Sequence, residues 1–233
     1  MSAREAELAA NLAAVGARID AACAAAGRAT GEVGLVVVTK YFPASDVRLL
    51  AGLGVHDVGE NKHQEAQAKA AETADLALRR HFIGSIQSNK AAAIAAYADV
   101  VESVDRVKLV GPLGRGAQEA GRVVECLVQV SLDPAPAGGR GGAAPGDVPA
   151  LAAAIEEADG LRLAGVMAVA PLGEPALAAF ERLAAVAEAL RSDHPAATVV
   201  SAGMSGDLEE AVKCGATHVR IGSAVLGPRP SIQ

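Results

Sequence analysis

Lys40 follows the apolar run of GLVVVTKYFP (34–43), so an amine stands where a buried-looking strand gives way to a loop. An ammonium there can simply point at water, but an amine in an apolar mouth is also a nucleophile for an aldehyde carbon. Far downstream, SAGMSGD (201–207) and RIGS (220–223) combine small residues with hydroxyls. Loops of this kind at helix starts offer backbone N–H groups to a phosphate, with Ser205 adding a hydroxyl and Gly222 and Ser223 opening a last short helix. Ser205 and Asp207 also read as ordinary N-caps. A Schiff-base lysine opposite a phosphate cup suits a phosphorylated aldehyde. Two chemistries fit: a class I aldolase acting on a sugar phosphate, or a site for pyridoxal 5′-phosphate (PLP). Arg220 bears on the choice, because an inward guanidinium could donate to a pyridine nitrogen; turned outward, it would make a surface salt bridge.

These residues need a scaffold that brings distant strand ends together. Short apolar runs recur at 35–39, 55–59, 81–85, 99–104, 123–131, 162–170, 197–201 and 217–223, with helix-favouring segments between them. That alternation predicts a (β/α)₈ TIM barrel, whose chemistry sits at the C-terminal ends of its strands. A doubly wound open sheet alternates in the same way, but no GxGxxG follows the first strand. Residues 3–26 form an extra amphipathic helix, with Leu8, Leu12, Val15 and Ile19 at helical spacing and Gly27 as the stop. Ser45 is the expected cap of the helix after Lys40, and Pro112 is expected to kink or break the helix that contains it. The Pro/Gly-rich stretch 134–146 carries no apolar anchor and reads as a flexible loop within one domain, 1–233.

Composition narrows the partners. Net charge is −6, with acids and bases interspersed and no basic block, which argues against nucleic acid. No uninterrupted apolar run has the length of a membrane span, and the N-terminus has no signal-peptide core, so a soluble cytoplasmic protein is expected. Cys23, Cys126 and Cys214 lie far apart and outline neither a disulfide framework nor a zinc site. Lys62, Lys69 and Lys90 follow strand ends and read as solvated lysines near the mouth, where a second PLP or a partner could also meet them. His63 and His81 read as solvated or structural more readily than as bases.

The segments LVVVTKYFPASDVRLLAGLGVHDVGENKHQEAQAK, HFIGSIQSNK, VESVDRVKL, AGVMAVAP and SAGMSGDLEEAVKCGATHVRIGSAVLG, in that order, resemble the YggS-like PLP homeostasis proteins. These are similar to the N-terminal barrel of alanine racemase. The resemblance implies that Lys40 is the Schiff-base lysine and that Asn61 of the GEN motif lies near the ring substituents. Ser205 with the backbone around Gly222 and Ser223 would hold the phosphate, and Arg220 would face the pyridine nitrogen. Tyr41-Phe42-Pro43, Ala202, Arg80 and Lys62-His63 depart from the family pattern without replacing the lysine, the arginine or the phosphate loop.

The resemblance also implies binding of PLP, with PLP-dependent apo-enzymes as possible recipients, more than turnover. An arginine at the pyridine nitrogen disfavours its protonation and weakens the ring as an electron sink. Racemases with that arginine add a second base, a tyrosine from a C-terminal domain and a dimer partner. Here the sequence ends at Gln233, Tyr41 is expected to point away from the lysine's side, and Tyr97 is expected in a helical segment remote from a strand end. A monomeric PLP reservoir or carrier is therefore expected; a weak PLP-dependent racemase or other Schiff-base enzyme is the alternative.

Overall fold

The structure, a computed structural model, describes residues 1–133 and 141–229. Eight parallel strands close into a barrel in sequence order: β1 (Gly34–Val38), β2 (Asp57–Glu60), β3 (Arg79–Phe82), β4 (Val100–Val104), β5 (Val124–Gln129), β6 (Leu161–Met167), β7 (Val199–Ser201) and β8 (His218–Ile221). Closure decides against the open sheet. β8 returns to β1 with Arg220 opposite Val36 and Ile221 opposite Val37.

Helices α1 (Ala3–Ala25), α2 (Ala44–Gly52), α3 (His63–Glu72), α4 (Ala91–Ala95), α5 (Val110–Glu119), α6 (Val148–Glu156), α7 (Ala176–Asp193), α8 (Leu208–Lys213) and α9 (Ser223–Leu226) surround the strands. The main apolar core lies in the layer between strands and helices. One cluster joins Leu8, Val15 and Ile19 of α1 to Val37, Leu208, Val219 and Val225. Alternation therefore sends Val37 outward and leaves its neighbours for the barrel interior.

The first helix begins where local chemistry directs it. The Ser2 hydroxyl accepts from the Glu5 N–H at 3.1 Å, and the Glu5 carboxylate accepts from the Ser2 N–H at 3.0 Å, a capping box. By length and mean hydropathy α1 could cross a bilayer. Here its apolar stripe packs on the barrel, and Arg4, Asn11 and Arg18 reach across to the segments that follow β7 and β8.

Two local expectations, on Ser45 and Pro112, need correction. Ser45 lies inside α2 and is exposed; Pro43 holds the N-cap position without a side-chain bond. Pro112 neither breaks nor ends its helix, because it is the third residue of α5, where the backbone N–H has no helical acceptor to lose. Within the 134–146 stretch, residues 134–140 lie outside the described residues. The remainder is anchored: Ala143 is buried, bridges to Val130, and accepts from the Ser131 N–H at 2.8 Å.

Candidate functional site

Lys40, Asn61, Ser205, Arg220, Gly222 and Ser223 all line one cavity of about 390 Å³. It opens at the C-terminal ends of the strands. Lys40 stands two residues beyond β1, Asn61 follows β2 directly, Ser205 lies between β7 and α8, and Gly222 joins β8 to α9. Val38, Phe42, Ile83, Met167 and Val169 add apolar walls. Asn61 reaches its place because Gly84, after β3, has no side chain. A Cβ there would lie 1.9 Å from the Asn61 carbonyl oxygen, far inside contact distance. Gly203, at φ +93°, turns the chain into the Ser205 loop, and a Cβ there would meet Ala211 at 2.7 Å.

Arg220 is only 4 % exposed and points into the barrel. Its Nη1 donates to Ser201 Oγ at 2.7 Å and its Nη2 to the Ala168 carbonyl at 2.8 Å. Ser201 passes its own proton to Glu102 Oε2 at 2.6 Å, and Glu102 lies 3.7 Å from Arg220. Glu102 Oε1 in turn meets His81 Nδ1 at 2.7 Å, and His81 Nε2 meets Asp57 Oδ1 at 2.9 Å. A polar chain thus crosses the barrel beneath the cavity, linking β8, β7, β4, β3 and β2. Burial acts against charge on Glu102, yet the hydrogen bond and charge of His81, the charge of Arg220 and the Ser201 bond hold its carboxyl down at about 2. Burial lowers the pKa of Arg220, opposed by Glu102. A guanidinium has five N–H donors, and the two bonds named leave others for the cavity that Arg220 lines.

Tyr41 does not turn away. It adopts φ +73° and its ring lines the same cavity, with Lys40 Nζ 5.9 Å, Lys62 Nζ 5.6 Å and the Arg229 guanidinium carbon 5.0 Å from the ring centroid. The left-handed backbone reverses the side to which a strand residue would point. Tyr97 instead stacks on His63 at 5.9 Å between centroids, away from the cavity lining. His81 is a buried link in the polar chain, which agrees with its structural reading. Lys69 is not a solvated lysine: it is 8 % exposed and its ammonium is enclosed by Thr39, Glu60 and Glu65. Lys62 is exposed and Lys90 half-buried, both beside a smaller hollow next to Asn61.

The family of the alanine racemase N-terminal domain matches residues 8–230. The chain belongs to this family. Similar relatives are the pyridoxal phosphate homeostasis proteins of Mycobacterium bovis, 44% identical over 97% of this chain and 94% of that one, and of Pseudomonas aeruginosa, 44% identical over 95% and 96%. Among solved structures, PipY of Synechococcus elongatus PCC7942 with PLP bound superposes at a TM-score of 0.81. It is 34% identical, covering 94% of this chain and 100% of PipY.

Sequence reasoning missed three parts of this site and its supports. Glu102 and Ser201 sit within strand segments, and a charged residue inside DVVESV was the available signal for the first. Glu60, Glu65 and Lys69 form a second buried network, in which burial raises the pKa of Glu60 against the pull of Lys69. The third part is the polar face of α1. Arg18 donates to the Ser205 carbonyl at 2.7 Å, Asn11 to that of Val225 at 2.9 Å and Arg4 to that of Leu226 at 3.0 Å. These three side chains hold the main chain of the loop after β7 and of α9.

Proposed function

We propose that the cavity holds PLP through a Schiff base on Lys40 and that the protein serves vitamin B6 homeostasis as a reservoir or carrier, without strong catalysis. The observation that carries this reading is the convergence of an amine, a buried guanidinium and a Ser/Gly loop pair on one open cavity. The donor set fits the cofactor: an amine for the aldehyde, hydroxyls and helix-start N–H groups for the phosphate, and an N–H donor for the ring nitrogen. When bound, PLP supplies an electrophilic carbon and an electron-accepting ring.

The residues divide that work. Lys40 binds covalently, while the Ser205 hydroxyl and the backbone at Gly222 and Ser223 take the phosphate. Asn61 borders the ring. Arg220, held by Ser201 and Ala168, would donate to the ring nitrogen and keep that nitrogen unprotonated by charge repulsion. A ring held in that state is a poor electron sink, which suits storage more than turnover. PLP-dependent apo-enzymes are the proposed recipients, and a cytoplasmic monomer is the proposed form. In the test, apo-enzyme is mixed with the loaded protein or with equal free PLP. Greater reactivation by the loaded protein supports delivery; equal or lower reactivation sinks it.

A second reading, a weak PLP-dependent amino-acid racemase, is favoured by the Tyr41 ring at the cavity wall. It predicts exchange of the amino-acid α-proton with deuterated solvent that disappears in Tyr41→Phe while PLP binding persists.

A further inference from the structure

Residues 39 and 41, on either side of Lys40, are both tied to one helix. Lys69 Nζ donates to the Thr39 carbonyl at 2.7 Å, to Glu60 Oε1 at 2.7 Å and to Glu65 Oε1 at 2.7 Å, so all three ammonium protons are used. The same Glu65 oxygen accepts the Tyr41 N–H at 2.5 Å, and the Thr39 hydroxyl donates to Glu60 at 2.6 Å. Glu65 and Lys69 are one helical turn apart on α3, which places both on the face toward β1. Between the two anchored peptides stands Lys40, and Tyr41 holds φ +73°. A bulky side chain in that region is strained, and such strain persists only where the surroundings over-determine it. The ion pairs do not touch the cavity: neither Glu65 nor Lys69 lines it, whereas Lys40 and Tyr41 do.

We propose that Glu65 and Lys69 form a clamp that positions Lys40: by fixing the main chain on both sides of the lysine, they aim its amine into the cavity and hold the Tyr41 ring at the mouth. This rests on the reading of Lys40 as the PLP lysine. They are positioning residues, acting through Thr39 and Tyr41 and not on the cofactor itself.

Glu65→Gln and Glu65→Ala separate the roles. Both remove the charge facing Lys69, which keeps Glu60 as its partner, but only the glutamine keeps an oxygen for the Tyr41 N–H. The measurements are the rate of PLP attachment followed by visible absorption, the visible circular dichroism of the bound chromophore, and peptide mapping after borohydride. The clamp predicts that Glu65→Ala slows attachment by about tenfold or more and alters the dichroism, since a misplaced reacting group loses rate steeply. Glu65→Gln should stay within about threefold of wild type, as expected when the acceptor is retained. Equal behaviour of wild type and Glu65→Ala, or equal impairment of both variants, overturns the clamp. A wild-type protein that fixes no label on Lys40 overturns the PLP reading and the clamp with it, and that outcome is recognised without any variant.

Discussion

Ser201 stands between two opposite charges: it accepts from Arg220 Nη1 at 2.7 Å and hands its own proton to Glu102 at 2.6 Å. Glu102 and Arg220 are themselves 3.7 Å apart, so the hydroxyl fixes the geometry of a buried ion pair as well as helping to satisfy it. Ser201→Ala leaves both charges in place with one hydrogen bond fewer each. The expected cost is about 1–3 kcal/mol of folding stability, read from urea unfolding. The guanidinium then keeps one hydrogen bond, to Ala168, and its ion pair with Glu102, so the absorption maximum of bound PLP should move although the label stays on Lys40. An unmoved maximum would mean that Arg220 needs no help from Ser201.

His81 makes stability depend on pH. Its two ring nitrogens face two carboxylates, Asp57 and Glu102, and both bonds form with a donated proton only when the ring is doubly protonated. Burial opposes that charge, but the bonds to Asp57 and Glu102 outweigh it and raise the pKa from 6.5 to about 8. A raised folded-state value gives stabilisation that is complete below about pH 6.5 and lost as pH climbs through 8. The loss should be about 2 kcal/mol across that window, measured by denaturant titration at several pH values. In His81→Gln the slope should flatten; a wild type with no slope there would show that the ring is neutral throughout.

The barrel was legible because its signals are local. Runs such as LVVVT and VVECLVQVS announce strands, and Lys40, Asn61, Ser205, Arg220, Gly222 and Ser223 lie beside them where a barrel puts chemistry. The supports were not legible, because they join residues with no shared periodicity. Ser201 and Glu102 are 99 residues apart, and Asn11 and Val225 are 214 apart. Lys69 looked like any helix lysine, since only the folded position of the Thr39 carbonyl shows what its ammonium binds. Tyr41 was misplaced for a backbone reason: strand alternation does not survive a residue at φ +73°.

The N-terminal helix should matter for cofactor affinity although none of its residues lines the cavity. Asn11 Nδ2 donates to the Val225 carbonyl in α9, the helix that starts at Ser223. Asn11→Ala removes that tie and leaves the apolar stripe of α1 untouched. PLP affinity should fall by about fivefold, the equivalent of about 1 kcal/mol, in a spectroscopic titration. Arg18→Ala, which frees the Ser205 carbonyl and the Glu209 pair, should act in the same direction. Unchanged affinity in both would confine α1 to covering the barrel.

Ser205 offers the cleanest test of where the phosphate sits. The residue is half-buried at the cavity wall, its carbonyl is held by Arg18, and the neighbouring Met204 N–H is held by Asp207 at 2.6 Å, so the loop is braced independently of the Ser205 hydroxyl. Ser205→Asp therefore changes charge with little change of backbone. A carboxylate about 4 Å from a phosphate charge is repelled by about 1 kcal/mol in water and about 4 kcal/mol nearer the protein's effective dielectric. PLP affinity should drop by at least about tenfold, since 1.4 kcal/mol already suffices for that factor. Pyridoxal, which reaches the same lysine without a phosphate, feels no such repulsion and should change by less than about twofold. The comparison cancels any general damage to the cavity, because damage would weaken both aldehydes alike. Equal losses for the two would place the phosphate away from Ser205, and the loop after β7 would then be an ordinary helix entry.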